Sequence, residues 1–464
     1  MFGKFGVSID SQNLKPDTMS LKNLLIIPVL ISILTLPVQA QWTPLGSGVE
    51  APNQIIFNIS VVNSDVVWAI SSAFPELNDQ LARTTDGGQT WMSVPFAIDS
   101  SQYAISLHAM DSVNAWLATA DELNPISGKV YQTADGGQTW EEQPDAFTGF
   151  NETPAGIYFW DENEGVAFGA TCERDYEDQI AIYYTENGGD SWTEVSGDAM
   201  PVQLPNESIC LAGGNGYFDV VGDNIWFTTY QGRVFKSTDR GKTWEAHVVV
   251  PEEVNGLLSC LAFKDEMNGV AGIYPKFVSL TEDGGETWNF TSGISFPFEI
   301  GQMEYVPGTN GTYLAGNGFL DNSSALGISY DDGTTWEQLA TNTDVDCFQF
   351  LSPSVGYGGG IVMGPESGGI YKWEGDLLTD IFEPAVNARL SVFPNPAVST
   401  VQVSLPDWPV EGLFVKLINA QGQSVQERWV KERDNINVTS LRPGLYSLMA
   451  TAGGQTYVGQ FIKL

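Results

Sequence analysis

Histidine is almost missing from this sequence: His108 and His247 are the only two in 464 residues. Nothing in the sequence sets either beside a nucleophile, as a Ser-His-Asp or Cys-His arrangement would require. Two histidines also make poor material for a His-based metal site. Both lie in predicted strands between apolar neighbours and read as filler positions. Cysteine is scarce too. Cys172, Cys210, Cys260 and Cys347 include no CxxC pair, which argues against a zinc or redox motif. Basic residues number 20 against 57 acidic ones, for a net charge of −37. The imbalance is local. Residues 41–384 hold 10 basic and 50 acidic groups, whereas residues 385–464 hold 7 and 5. Such a field repels nucleic acid and anionic lipid and favours cations or basic partners. It also keeps a protein soluble.

Long apolar runs are absent as well. The longest, from Leu24 to Leu36, is too short to span a bilayer, so no transmembrane segment is expected. It follows Lys22 and precedes Val38-Gln39-Ala40, an order that reads as a secretory signal peptide cut between Ala40 and Gln41. Residues 1–18 lack this character, which makes Met19 an alternative start. Export makes disulfides permissible. What the chain does have is 49 Gly, 14 Trp and 42 % hydrophobic residues, a composition suited to an all-β protein with tight turns.

One octapeptide recurs six times: TTDGGQTW at 84–91, TADGGQTW at 133–140, TENGGDSW at 185–192, STDRGKTW at 237–244, TEDGGETW at 281–288 and SYDDGTTW at 329–336. Its closing residues, Trp91, Trp140, Trp192, Trp244, Trp288 and Trp336, are 49, 52, 52, 44 and 48 residues apart. Periods of this size signal a propeller or solenoid. The third position (Asp86, Asp135, Asn187, Asp239, Asp283, Asp331) can accept hydrogen bonds from the turn backbone, and the fifth is a Gly able to take positive φ. Apolar segments such as VVWAISS at 66–72 and KVYQ at 129–132 complete four short strands per unit, the content of a propeller blade.

The octapeptide resembles the Asp-box, or BNR, repeat. The resemblance implies that these Asp, Asn and Trp residues are structural rather than catalytic. Six boxes define six units. A seventh, residues 347–375, has three strands and no Thr-Trp return. The segment Gln41-Trp42-Thr43-Pro44-Leu45 is expected to supply the missing strand, pairing antiparallel with residues 369–373. The propeller therefore spans residues 41–378, with seven blades. Adjacent blades bring Cys172 and Cys210 within reach, so a disulfide is expected between them, with Cys260 and Cys347 left as buried thiols.

Residues 379–389 read as a linker. Residues 390–464 show alternating strands with turns at Ala420-Gln421-Gly422 and Gly453-Gly454, an Ig-like sandwich. Phe393-Pro394-Asn395-Pro396-Ala397, Pro443-Gly444-Leu445-Tyr446 and the closing Phe461-Ile462-Lys463-Leu464 resemble the C-terminal sorting domain of the type IX secretion system. That resemblance implies the type IX machinery as a partner and a protein released or held at the outer-membrane surface.

Asp-box propellers include sialidases and glucan-cleaving enzymes. A sialidase needs an arginine triad. Of Arg83, Arg174, Arg233 and Arg240, only Arg174 stands clear of an Asp box. Glucan cleavage uses two carboxylates across a cleft between two propellers, and this chain has one. The acidic run at 173–178 could offer oxygen ligands to calcium but lacks the spacing of a defined calcium loop. Single propellers that resemble the photosystem II stability factor share the repeat and bind protein partners. The expectation is a monomeric, non-catalytic binding propeller for a glycan or protein, with no cofactor and no catalytic, cofactor-binding or metal-ligating residue. The alternative is a glycoside hydrolase with two carboxylates on the propeller face.

Overall fold

The computed structural model describes residues 42–464 except 47–53, 74–78, 96–101, 122–126, 150, 172–178, 210–214, 252–253, 255, 292–299, 317–325, 341–344, 365–366, 376, 378–389, 406–407, 409–411, 419–423 and 453–454. The segment read as a signal peptide with Ala40 and Gln41, the stretch read as a linker, the acidic run at 173–178 and both Cys172 and Cys210 lie outside the described residues.

Seven four-stranded antiparallel blades follow one another along the chain. Their inner strands are Gln54–Val61, Gln102–Ala109, Glu152–Phe159, Phe218–Val221, Leu257–Phe263, Gln302–Tyr305 and Cys347–Ser352. The seventh blade adds Val355–Gly364 and Ser367–Trp373, and its fourth strand is Trp42–Gly46 from the other end of the chain. Trp42 stands opposite Trp373 and Pro44 opposite Tyr371, antiparallel as expected. A three-stranded last blade would leave an open sheet edge, and the borrowed strand covers it. Trp42 is 9 % exposed and packs edge-on against Trp373 and Phe350. Blades seven and one are further joined where Gln54 and Ile55 pair with Val362 and Ile361.

Apolar residues fill the spaces between blades because every blade is covered on both faces. The second strands read as near-continuous apolar runs, such as the fully buried Ala115–Asp121. Stacked rings bridge neighbours: Trp116 on Phe159 and Trp226 on Phe263, each with centroids 3.8 Å apart. Burying an aromatic side chain of this size is worth about 1.5–3 kcal/mol.

The C-terminal segment is a second β unit of two sheets. One pairs Ser391–Phe393 with Thr400–Ser404 and that with Ile436–Asn437; the other orders Ser424–Val430, Leu413–Ile418, Gly444–Ala452 and Gln455–Lys463. Alternate residues, including Val401, Val403, Leu413, Val415, Leu417, Leu448 and Phe461, form its core.

Candidate functional site: the central channel

Two sets of turns hold the blades in shape. In each Asp box the carboxylate or amide at the third position closes the turn. Asp86 Oδ1 accepts the Thr90 N–H at 2.8 Å and Oδ2 accepts the Thr90 hydroxyl at 2.6 Å, while the Thr84 hydroxyl donates to Oδ1 at 2.8 Å and accepts the Gly88 N–H at 3.0 Å. Asp135, Asp239, Asp283 and Asp331 repeat the pattern with Thr139, Thr243, Thr287 and Thr335, and Asn187 accepts the Ser191 N–H while its Nδ2 donates to the Ser191 hydroxyl. Hydrogen bonds from Thr139 hold the half-buried Asp135 carboxyl down at about 2, so it stays ionised. These carboxylates are occupied by hydrogen bonds within their turns. The closing tryptophans pack at the blade flanks: Trp192 against Phe159, Trp244 against Phe227, Trp288 against Phe263.

A second turn motif escaped the sequence reading. The hairpins between first and second strands carry Asn63, Asp111, Asp161 and Asp265, each accepting two N–H groups two and three residues ahead. The pattern DSVN at 111–114, DENE at 161–164 and DEMN at 265–268, just before an apolar strand, was the available signal.

The inner strands surround a channel of about 380 Å³ lined from all seven blades. Each inner strand turns an unpaired edge to this axis, and its N–H groups need acceptors. Strand register identifies one equivalent position per blade. Ser60, His108, Tyr158, Asp219, Ala262, Glu304 and Gln349 stand opposite Trp68, Trp116, Val166, Trp226, Val270, Leu314 and Tyr357. Four of them accept the backbone N–H of the next blade. Ser60 takes Ala109 N–H at 3.0 Å, Asp219 takes Phe263 at 2.6 Å, Glu304 takes Phe350 at 2.7 Å and Gln349 takes Val61 at 2.7 Å. His108 makes a backbone hydrogen bond with Phe159 in the next blade. The two remaining junctions use other groups: Trp160 Nε1 donates to Gly222 O at 2.8 Å, and the Ser259 hydroxyl to Ile300 O at 2.8 Å.

The channel groups are displaced from their ordinary acidities. Burial raises Asp219 to about 7, against the pull of its two N–H donors from Phe263 and Val220. Burial also raises Glu304 well above the usual carboxyl range, Phe350 N–H opposes it, and the charge of Asp219 adds to the rise. Burial lowers His108 to about 4, so it is neutral at neutral pH. All three are partly open to the channel but enclosed by protein otherwise, which is why burial dominates. His108 is thus a channel residue, tilted against Tyr158 at 4.5 Å, rather than strand filler.

One segment crosses the channel. Asn215 pairs with both backbone groups of Ile59 at 2.9 Å, from the chain entering blade four to blade one. Gly216 then passes its carbonyl to Leu261 N–H at 3.0 Å with φ +97°, and a Cβ there would lie 2.9 Å from Gln302. Only glycine accepts that backbone cheaply. One layer below the ring, Cys260 and Cys347 stand opposite Gly272 and Gly359 in blades five and seven. Both are buried free thiols, and burial pushes Cys260 up to about 12.

The described arginines of the propeller serve blade contacts. Arg83 donates to Ser112 O and lies over Trp68. Arg233 pairs with the buried Glu207, and Arg240 with Asp161, Glu164 and Asp223. None lines the channel. Among the described residues, no group of three or more His, Cys, Asp or Glu is arranged to hold a metal ion, and no helix is long and apolar enough to cross a membrane.

Residues 391–464 match the family profile of a secretion system C-terminal sorting domain, and residues 79–216 match one described as Sortilin, neurotensin receptor 3. No curated protein matches the chain. Among solved structures, YCF48 bound to a D1 peptide is 18 % identical over 72 % of this chain and 97 % of its own, with a TM-score of 0.50. YCF48 from Cyanidioschyzon merolae is 16 % identical over 72 % and 99 %, at 0.49. The extracellular domain of BT4673 from B. thetaiotaomicron is 14 % identical over 92 % and 59 %, at 0.45. The chain is a propeller with a C-terminal sorting domain, and that domain makes it a secreted or cell-surface protein that engages the secretion machinery.

Proposed function

We propose that this propeller is a non-catalytic binding protein, exported through the type IX secretion system after loss of its signal peptide, whose ligand is a protein or a glycan. The observation that carries the reading is how the axial polar groups are used: the Asp219 and Glu304 carboxyls accept N–H groups of the neighbouring blade and so close the ring. A solved neighbour of the same fold holds a peptide, which favours a polypeptide ligand. Deleting residues 385–464 should leave a soluble propeller in the periplasm; normal export of that truncation would contradict the sorting role. A polysaccharide panel should release no reducing ends.

A second reading, a two-carboxylate glycoside hydrolase, is favoured by one fact: Asp219 and Glu304 share the channel and feel each other's charge. Glycan turnover abolished by Asp219→Asn would establish it in place of the binding reading.

A further inference from the structure

The channel wall contains polar atoms that the ring does not use. Asn58 and Gln302, 4 % and 2 % exposed, both line the channel. Asn58 Oδ1 and Gln302 Oε1 have no hydrogen-bond partner, and neither does Glu304 Oε2. Buried polar atoms left unpaired are uncommon and costly, so each needs an explanation. All three are oxygens. No Lys or Arg is among the described lining residues, and His108 is neutral. The wall therefore offers acceptor oxygens and two carboxyls that burial disposes to hold their protons, without a matching cation. Tyr158, Trp160 and Phe218 add aromatic rings to it, which attract cations through their faces. Around it lies a propeller segment with 50 acidic groups to 10 basic, a field that draws cations in.

We propose that the channel binds an alkylammonium group, such as a lysine side chain presented by the ligand. An ammonium has three donors and no acceptor, which matches a wall whose unused atoms are oxygens. A sugar hydroxyl would also ask for donors. A bare divalent cation asks for six or more oxygens in one shell, and the described acids do not form such a cluster. The volume of about 380 Å³ admits a short alkyl stem with water, at roughly 30 Å³ per water. On entry, the cation favours the ionised forms of Asp219 and Glu304, whose protons leave to solvent. The inference rests on the binding reading and names the group bound.

Calorimetric titration of the full-length protein with n-butylammonium chloride tests it, with butan-1-ol as the neutral isostere and calcium chloride as the metal. Butylammonium should bind saturably, with butan-1-ol at least about tenfold weaker. Glu304→Gln and Asp219→Asn should each weaken the amine at least about tenfold. Asp219→Asn keeps an oxygen for the Phe263 N–H, so it serves if Glu304→Gln does not fold. Absence of saturable amine binding, equal binding of butan-1-ol, retention in both variants, or binding of calcium alone would each overturn the proposal. Its failure would leave the non-catalytic reading intact, whereas glycan turnover would remove that reading without touching amine binding.

Discussion

The Asp-box rim and the inner ring solve the same problem in opposite ways. Both must satisfy backbone N–H groups that no neighbouring strand reaches. At the rim Asp does it five times and its amide counterpart Asn187 once, all at one spacing. At the axis the equivalent position is Ser, His, Tyr, Asp, Ala, Glu and Gln in turn. The rim turn is local, so its geometry is the same in every box and selects Asp or its amide counterpart. The ring bond is made between blades, across gaps of differing shape, so side chains of different length close it.

The largest effect is expected where the ring of blades is shut. Trp42→Ala removes the aromatic wedged against Trp373 and Phe350 and should cost about 3–5 kcal/mol, read by chemical denaturation. A loss below about 1 kcal/mol would mean that the borrowed strand contributes little to closure.

At the rim, Gly137→Ala sharpens the comparison. Gly137 has φ +83°, and a Cβ there would sit 2.1 Å from Val94 Cγ1 of the neighbouring blade. The strain should cost about 1–3 kcal/mol, with a matching fall in thermal midpoint. An unchanged midpoint would show that the rim turn tolerates a shift the structure does not suggest.

The axis predicts pH effects of opposite sign. Asp219 is raised from 3.8 to about 7, so the folded state holds the extra proton and stability falls as pH rises through that window. His108 is lowered from 6.5 to about 4, so the unfolded state holds the extra proton and stability falls as pH drops through that window. The two slopes oppose each other between about pH 4 and 6.5. Asp219→Asn should therefore raise the thermal midpoint more at pH 8 than at pH 4. A gain independent of pH would contradict the buried, proton-holding carboxyl.

The smallest effect concerns the thiols. Cys260 and Cys347 are buried, and burial raises both above the ordinary thiol range. They should react with a thiol reagent only on unfolding. Rapid labelling of the native protein would contradict their place behind the ring.

The contrast also explains what the sequence made legible. The octapeptide fixed the number of boxes, and the truncated last unit with Trp42 ahead of the first blade pointed to the closure. The sorting domain was readable from its closing motifs. The channel was not. His108 looked like filler because its flanks are apolar; what places it on the axis is strand register, which repeats in geometry and not in residue type. Asp219 and Glu304 were hidden among abundant acids for the same reason. The crossing at Asn215-Gly216 had a weak trace, the run Gly213-Gly214-Asn215-Gly216 just before a short inner strand.

The most direct test of the side-chain ring is amide hydrogen exchange at Val61, Ala109, Phe263 and Phe350. These N–H groups lie on strand edges, yet each is given a side-chain acceptor from the preceding blade. All four should be protected in the native protein, and Gln349→Ala should accelerate exchange at Val61 while leaving Phe263 unchanged. Fast exchange at all four in the native protein, or no change at Val61 in the variant, would contradict the ring.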